Sequence, residues 1–331
     1  MIIETPSRLH VTLIDLNGKY GRIDGGVGIT IREPKLILEA EKGYESNKII
    51  FTNSTNLNSE TLNDYQIKIN NAIIRMNKFL GLNENYHFNI REYYPSHSGL
   101  GSGTQLSLAV AKLILKINEQ DLPAHEIAAI VGRGGTSGIG VASFERGGFI
   151  VDGGHKTMSK QDFLPSSASN ASPPPILAKY DFPMDWNLIL VIPQAERKVS
   201  GDHEVNIFQE YCPIPLVEVQ KLTHILLMKM MPAVVEGDLD AFGQAVNIIQ
   251  KVGFKKIESD LQNSFTNYLI ESLRSAGASG VGLSSFGPTV YAVTDTNTKE
   301  LCRTARSLMK DKEGQIISTK AQNSGAILKN K

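Results

Sequence analysis

The stretch Pro95-Ser-His-Ser-Gly-Leu-Gly-Ser-Gly-Thr104 constrains the fold most, because a glycine-rich turn there opens straight onto an apolar-periodic segment. Leu106, Val110, Leu113, Ile114 and Ile117 recur at three- and four-residue steps, which predicts a helix that begins at the loop. Upstream, His87-Phe-Asn-Ile-Arg91 alternates as a strand does. Strand, glycine loop and helix in that order can form an anion cradle. Glycines let the backbone approach a bulky anion, and the helix start offers unpaired N–H groups and the positive end of its dipole. A tight strand-to-helix turn that binds nothing uses the same residue types.

The chain of 331 residues exceeds the roughly 250–300 at which single cores stop growing. Two domains are expected, over residues 1–180 and 181–331. Lys plus Arg and Asp plus Glu are both 34, so no sequence-wide basic field exists to hold nucleic acid or a membrane surface, and any anion must be held locally. The start Met1-Ile-Ile-Glu-Thr-Pro6 has no basic region leading into an apolar one, and no apolar run reaches the roughly 18–20 residues of a membrane span. A cytoplasmic protein is expected. Cys212 and Cys302 stand far apart with no CxxC spacing, which predicts two reduced thiols and no structural zinc.

Along the chain, Leu9 to Leu16 and Asp24 to Ile29 read as strands around a turn at Asn17-Gly18, with further short strands at Leu36–Ala40 and Lys48–Phe51. Leu62, Ile69, Ile73, Met76 and Leu80 predict an amphipathic helix stopped by Gly81, and Pro123 opens another that ends at Gly132. Gly132 to Gly140 is too rich in glycine for a regular element, and a strand at Phe149–Val151 follows. Pro165 to Pro175, rich in Ser and Pro, reads as a linker, a plain loop or an active-site lid. Leu188–Ile192 is a buried strand; the polar stretch Gln194 to Glu204 follows it. Helices fit both sides of Pro232 and Phe265–Ala276, and a strand at Val290–Val293, a helix at Lys299–Met309 and a strand at Gln315–Thr319 complete an α+β pattern.

The strings Arg8-Leu-His10, Asp24-Gly-Gly26, Gly99-Leu-Gly-Ser-Gly-Thr-Gln105, Gly132 to Gly140, Gly147 to His155 and Ser284-Ser-Phe-Gly-Pro-Thr289 resemble the GHMP kinase superfamily in order and spacing. Within it they are most similar to the β-ribofuranosylaminobenzene 5′-phosphate synthase family. The resemblance implies an α+β, GHMP-kinase-like fold with an N-terminal ribosomal-protein-like α/β domain and a C-terminal ferredoxin-like α+β domain. The chain departs from the kinase pattern at Gly103, where a small Ser or Ala is usual. It departs again at Gly-Leu-Ser-Ser-Phe-Gly287, where a run of glycines is usual. Both departures weigh against ATP as the ligand, and a scaffold does not fix an activity.

The resemblance further implies condensation of phosphoribosyl pyrophosphate with 4-aminobenzoate or 4-hydroxybenzoate, releasing pyrophosphate and carbon dioxide, with Mg2+ as cofactor and a homodimer as assembly. The phosphate clamp would be Gly99, Gly101, Ser102, Gly103 and Thr104. Arg133, Thr136 and Ser137 would take a second anionic group, unless Arg133 only caps the preceding helix. Arg8, with Arg22 behind it, is a candidate for the benzoate carboxylate. Asp15, Asp24 and Asp152 border glycine turns and are candidates for Mg2+, with Asp24 and Asp152 also placed in the catalytic set; each is equally a turn residue bonding its own backbone. Among His10, His97 and His155, His10 is the expected base for the proton on the para substituent. An ATP-dependent small-molecule kinase and a non-catalytic module binding a phosphorylated metabolite remain the alternatives.

Overall fold

The structure is a computed structural model that describes residues 1–43, 45–52, 59–166, 168–194 and 202–329. Its first half rests on one long antiparallel pair. β1 (Ile2–Asp15) and β2 (Arg22–Gly43) run from the pair Ile2 and Glu39 to the pair Asp15 and Asp24. β3 (Lys48–Phe51), parallel to β4 (Asn85–Glu92), extends the sheet beyond β2, and β5 (Phe149–Asp152), β6 (His155–Lys156) and β7 (Ile176–Tyr180) branch from it. The separate strand expected at Leu36–Ala40 is part of β2. Pro34 lacks an N–H, and the register shifts around it, while the N–H groups of Arg32 and Glu33 reach the Lys320 carbonyl and the Thr319 hydroxyl, both at 2.9 Å.

Helices α1 (Ser59–Leu80), α2 (Ser102–Ile117) and α3 (Ala124–Val131) cover this sheet. α1 buries Tyr65, Ile69, Ile73 and Met76 along one stripe, whereas α2 is buried from Gln105 to Leu115 almost all round, the pattern of a central helix. Gly81 and Gly132, at φ +68° and +71°, end α1 and α3 in the left-handed conformation. A short α4 (Ile139–Glu145) starts inside the stretch read as irregular.

After β7 the chain crosses to a second sheet of β8 (Asn187–Pro193), β9 (Gly280–Leu283), β10 (Val290–Thr294) and β11 (Gly314–Thr319). Its antiparallel order β11–β8–β10–β9 is the expected ferredoxin-like arrangement. Strand alternation divides β8 between two cores. Ile189 and Val191 join Leu269, Leu273 and Leu301, while Leu188, Leu190 and Ile192 join a core that runs on into the first sheet. α5 (Asp202–Tyr211), α6 (Leu216–Ile225), a π-helical turn at Leu226–Met230, α7 (Met231–Glu236), α8 (Leu239–Ile249), α9 (Gly253–Asp260) and α10 (Ser264–Ser275) lie between β8 and β9. α11 (Thr298–Leu308) precedes β11.

The division at residue 180 falls where the chain leaves the first sheet, but the tail does not stay in the second half. β12 (Ile327–Lys329) pairs with Ile2–Glu4 of β1, and Ala321 bridges to Ile31. Cys212 and Cys302 are free thiols. Among the described residues no helix is long and apolar enough to cross a membrane.

Candidate active site

The start of α2 is held by pieces from both halves. Gly99 and Gly101 adopt φ of +84° and +82°, a conformation that costs other residues about 1–2 kcal/mol. The Gly101 carbonyl accepts from the N–H groups of Thr104 and Gln105, both at 3.1 Å. The Gly99 carbonyl accepts from the Arg8 guanidinium and from the Ser284 hydroxyl at 2.7 Å, and Thr289 donates its hydroxyl to the Ser98 carbonyl at 2.6 Å. Ser284 in turn accepts from the His10 N–H at 3.0 Å. A Cβ at Gly99 would collide with the Ser284 carbonyl, and one at Gly287 with the Gly99 N–H. The three motifs that stand far apart in sequence are therefore one structure.

Glycine also lets two cations approach the helix start. A Cβ at Gly101 would sit 3.2 Å from Cγ and Nε of Arg8, and one at Gly103 would sit 3.1 Å from Nζ of Lys68. Burial lowers Arg8 to about 10, so it stays charged at neutral pH. Lys68, which sequence reasoning missed, pairs with Asp64. Burial alone would raise Asp64, yet hydrogen bonds from His97, Lys68 and Ser96 hold it below the usual carboxylate range. The α2 dipole and Arg8 make this end of the helix electropositive, while the charge of Lys68 is balanced by Asp64.

Beside the cradle lies a cavity of about 160 Å³ between the halves. The first half contributes Arg8, His10 and Leu13 from β1, then Thr104, Thr136, Ser137 and Gly140, with Pro165 and Ser166 at the rim. The second half contributes Glu204 and Phe208 of α5, Glu258 of α9, and Ser285 and Phe286 of the glycine segment. Phe208 and Phe286 form an aromatic group with Phe254, at centroid distances of 4.8 to 6.5 Å. Of the residues nominated from sequence, Arg8, His10, Thr104, Thr136 and Ser137 meet here. Phe208, Glu258, Ser285 and Phe286 were missed, while Glu204, with His203, belongs to a polar stretch that sequence could bring to the site but not place, and whose residues 195–201 lie outside the described residues.

The electrostatics of the cavity are unusual. Burial, then the nearby cations Arg8 and Lys255, push His10 well below its ordinary value, so it is a neutral imidazole whose Nδ1 has no hydrogen-bond partner. Burial, then the charge of Glu258, raises Glu204 to about 7. Glu258 is itself raised by burial and forms an ion pair with the fully buried Lys255, whose Nζ also donates to the Leu283 carbonyl at 3.2 Å.

The three nominated aspartates lie elsewhere, for clear reasons. Asp15 bonds its own turn, accepting from the N–H groups of Asn17 at 2.7 Å and Gly18 at 3.0 Å. Asp24, fully buried, is 2.6 Å from Nδ1 of His155 and 2.9 Å from Nζ of Lys160. Lys160 then grips the carbonyls of Gly135 at 2.9 Å and Leu164 at 3.0 Å, and His155 Nε2 is 2.9 Å from the Ser172 carbonyl. Asp152 accepts from Ser137 Oγ at 3.1 Å and from the N–H groups of Gly138 at 2.9 Å and Gly154 at 3.0 Å. These aspartates thus hold the loops around the cavity and do not line it. Arg133 is off the wall as well, donating from Nε to Ser107 Oγ at 3.2 Å. Nor is the Ser/Pro segment a free linker: Pro173 and Ser169 pack so closely on Gly134 and Gly135 that a Cβ on either would approach within 2.8 Å.

Comparison with known proteins agrees with this arrangement. The description "GHMP kinases N terminal domain" matches residues 67–148 and "GHMP kinases C terminal" matches residues 230–310. Among solved structures, mevalonate kinase of Methanococcus jannaschii superposes with a TM-score of 0.68 at 15% identity, covering 98% of each chain. A homoserine kinase of Cytophaga hutchinsonii gives 0.64 at 14%, covering 98% of this chain and 96% of its own. At such identities the likeness shows the fold alone. The curated relatives are much nearer. Beta-ribofuranosylphenol 5'-phosphate synthase of Methanothermobacter thermautotrophicus is 54% identical over 99% of this chain and 98% of its own length. The protein of the same name from Methanocaldococcus jannaschii is 48% identical over 98% and 99%. With identity at that level over nearly the full length of each chain, the chain belongs to the β-ribofuranosylphenol 5′-phosphate synthase family, built on the GHMP kinase fold.

Proposed function

We propose that this protein joins the ribose 5-phosphate unit of phosphoribosyl pyrophosphate to 4-hydroxybenzoate, releasing pyrophosphate and carbon dioxide and leaving a ribofuranosylphenol phosphate. The observation that carries it is the meeting in one cavity of a cationic helix start and an aromatic wall. The N–H groups of α2, Arg8 and the hydroxyls of Thr104, Thr136 and Ser137 suit phosphate oxygens. Phe208 and Phe286 suit the face of a benzoate ring. The relatives' name contains ribofuranosylphenol, which favours the hydroxy arene over the amino one.

The cradle would stabilise the charge that grows on pyrophosphate as its bond to the sugar carbon breaks. The ring carbon bearing the carboxylate attacks that sugar carbon, and loss of carbon dioxide returns an electron pair to the ring. Holding both substrates in one partly enclosed site makes the step effectively unimolecular. Magnesium does not fit the residues nominated for it. Asp24 is already paired with Lys160, and Asp15 is committed to its turn. No step is assigned to it.

The test is release of labelled carbon dioxide from carboxyl-labelled 4-hydroxybenzoate on addition of phosphoribosyl pyrophosphate. Release that depends on both substrates, and that ATP does not replace, is expected. Absence of labelled gas from folded protein would sink the reading.

A further inference from the structure

We propose that Glu204 is the catalytic base for the ring hydroxyl of the arene, and that Glu258, fixed by Lys255, is its positioning partner. The inference deepens the ribosyl-transfer reading and rests on it. Both carboxylates face the cavity whose aromatic wall is Phe208 and Phe286. Glu204 and Phe208 are four residues apart on α5, so the acid and the ring lie on one helix face.

His10, the base expected from sequence, fits the role less well. It is buried to 5% exposure, and Arg8 and Lys255 both oppose its protonation. Glu204 faces the opposite situation. Burial and Glu258 make its carboxylate a stronger base than an ordinary glutamate, with a value of about 7 that matches neutral operation. Among the described residues, the charged and titratable groups around the pair are Arg8 and His10 of β1, Lys255 of α9 and Tyr291 of β10. Arg8 and Lys255 are the cations that keep two carboxylates tolerable in one cavity, and burial pushes Tyr291 well above the ordinary tyrosine value, so that it stays neutral.

The step balances. The hydroxyl O–H bond breaks, its proton goes to Glu204, and the electron pair enters the ring and raises the nucleophilicity of the carbon para to it. That carbon bonds to the sugar carbon as the bond to pyrophosphate breaks, giving a ring ketone. The carboxyl–carbon bond then breaks, carbon dioxide leaves, its electron pair restores the aromatic ring as a phenolate, and Glu204 returns the proton.

The wild-type rate of carbon dioxide release should rise with pH through a limb near 7. Glu204→Gln should abolish that limb and lower kcat by about 100-fold or more, with binding of phosphoribosyl pyrophosphate retained as the check on folding. Glu258→Gln should instead move the limb to lower pH, because Glu204 loses its anionic neighbour. A more acidic arene, 3,5-difluoro-4-hydroxybenzoate, should shrink the ratio of wild-type to Glu204→Gln rates by about tenfold, since it needs less help to ionise. An unchanged limb in Glu204→Gln, or a ratio that the fluorinated arene leaves unaltered, overturns the proposal. An unmoved limb in Glu258→Gln removes Glu258 from it. If the wild-type protein releases no gas at all, the ribosyl-transfer reading itself has failed.

Discussion

Single residues at this site do work that their types only partly foretell. Arg8 was expected to contact a carboxylate, yet its guanidinium is tied to the Gly99 carbonyl and lies against Gly101, so it both builds the cradle and charges it. Arg8→Met should therefore weaken binding of phosphoribosyl pyrophosphate by tenfold or more, about the 1.4 kcal/mol that one charge-assisted contact supplies, as calorimetry would read. Asp152 is the clearest case of a carboxyl whose environment overrides its kind. Burial raises it to about 6 against the hydrogen bonds from Gly154, Gly138 and Ser137. Because its folded value lies above its unfolded value, the folded state binds the extra proton. The associated stability is fully present below the ordinary carboxylate value of 3.8 and is lost as pH rises through about 6. Unfolding midpoints measured between pH 4 and 7 should fall with pH more steeply in the wild type than in Asp152→Asn. Asp152→Ala, which orphans two buried N–H groups and a hydroxyl, should cost about 2–4 kcal/mol at neutral pH, by denaturant titration.

At the scale of elements, long periodic segments were readable and short ones were not. α1, α2 and α10 repeat their apolar faces over 12 residues or more, enough for the 3.6-residue period to stand out. α4, α5 and α9 have 7, 10 and 8 residues. α5 and α9 turn Glu204, Lys255 and Glu258 inward, so their polar residues mark the cavity where a pattern reader expects solvent. α4 depends on a remote cap, since Asp152 supplies the acceptor for Gly138 that the local sequence lacks. The Ser/Pro segment shows a related dependence, because its docking relies on bare backbone at Gly134 and Gly135. Gly135→Ala, whose Cβ would press within 2.8 Å of Ser169, should loosen the segment that brings Pro165 and Ser166 to the cavity. A stability loss of about 1–3 kcal/mol, faster proteolysis between residues 165 and 175 and a raised KM are expected together; unchanged proteolysis would remove the glycine's packing role.

Across the whole molecule, the site exists only where the halves meet. The bond from Thr289 to the Ser98 carbonyl is buried and spans 191 residues of sequence. Thr289→Val leaves that carbonyl unsatisfied and should cost about 1–3 kcal/mol, with weaker phosphoribosyl pyrophosphate binding as the cradle loosens; full stability together with full affinity would show that the contact is incidental. β12 acts on the same scale by covering the free edge of β1. The sequence by itself determined the strand–loop–helix order, the α+β class and the glycine motifs, because each is written in local periodicity or in residues with special backbone freedom, whereas the ferredoxin-like second sheet was implied only by the family resemblance. Only the tertiary structure decided which charged residues line the cavity or lie against the start of α2. Asp24 and Asp152 look like ligands in sequence but hold loops, while Lys68, Glu204 and Glu258 sit on helices that resemble ordinary surface. The physical reason is that burial and the charges of distant neighbours set both the orientation and the protonation of a side chain, and those neighbours are brought together only by folding.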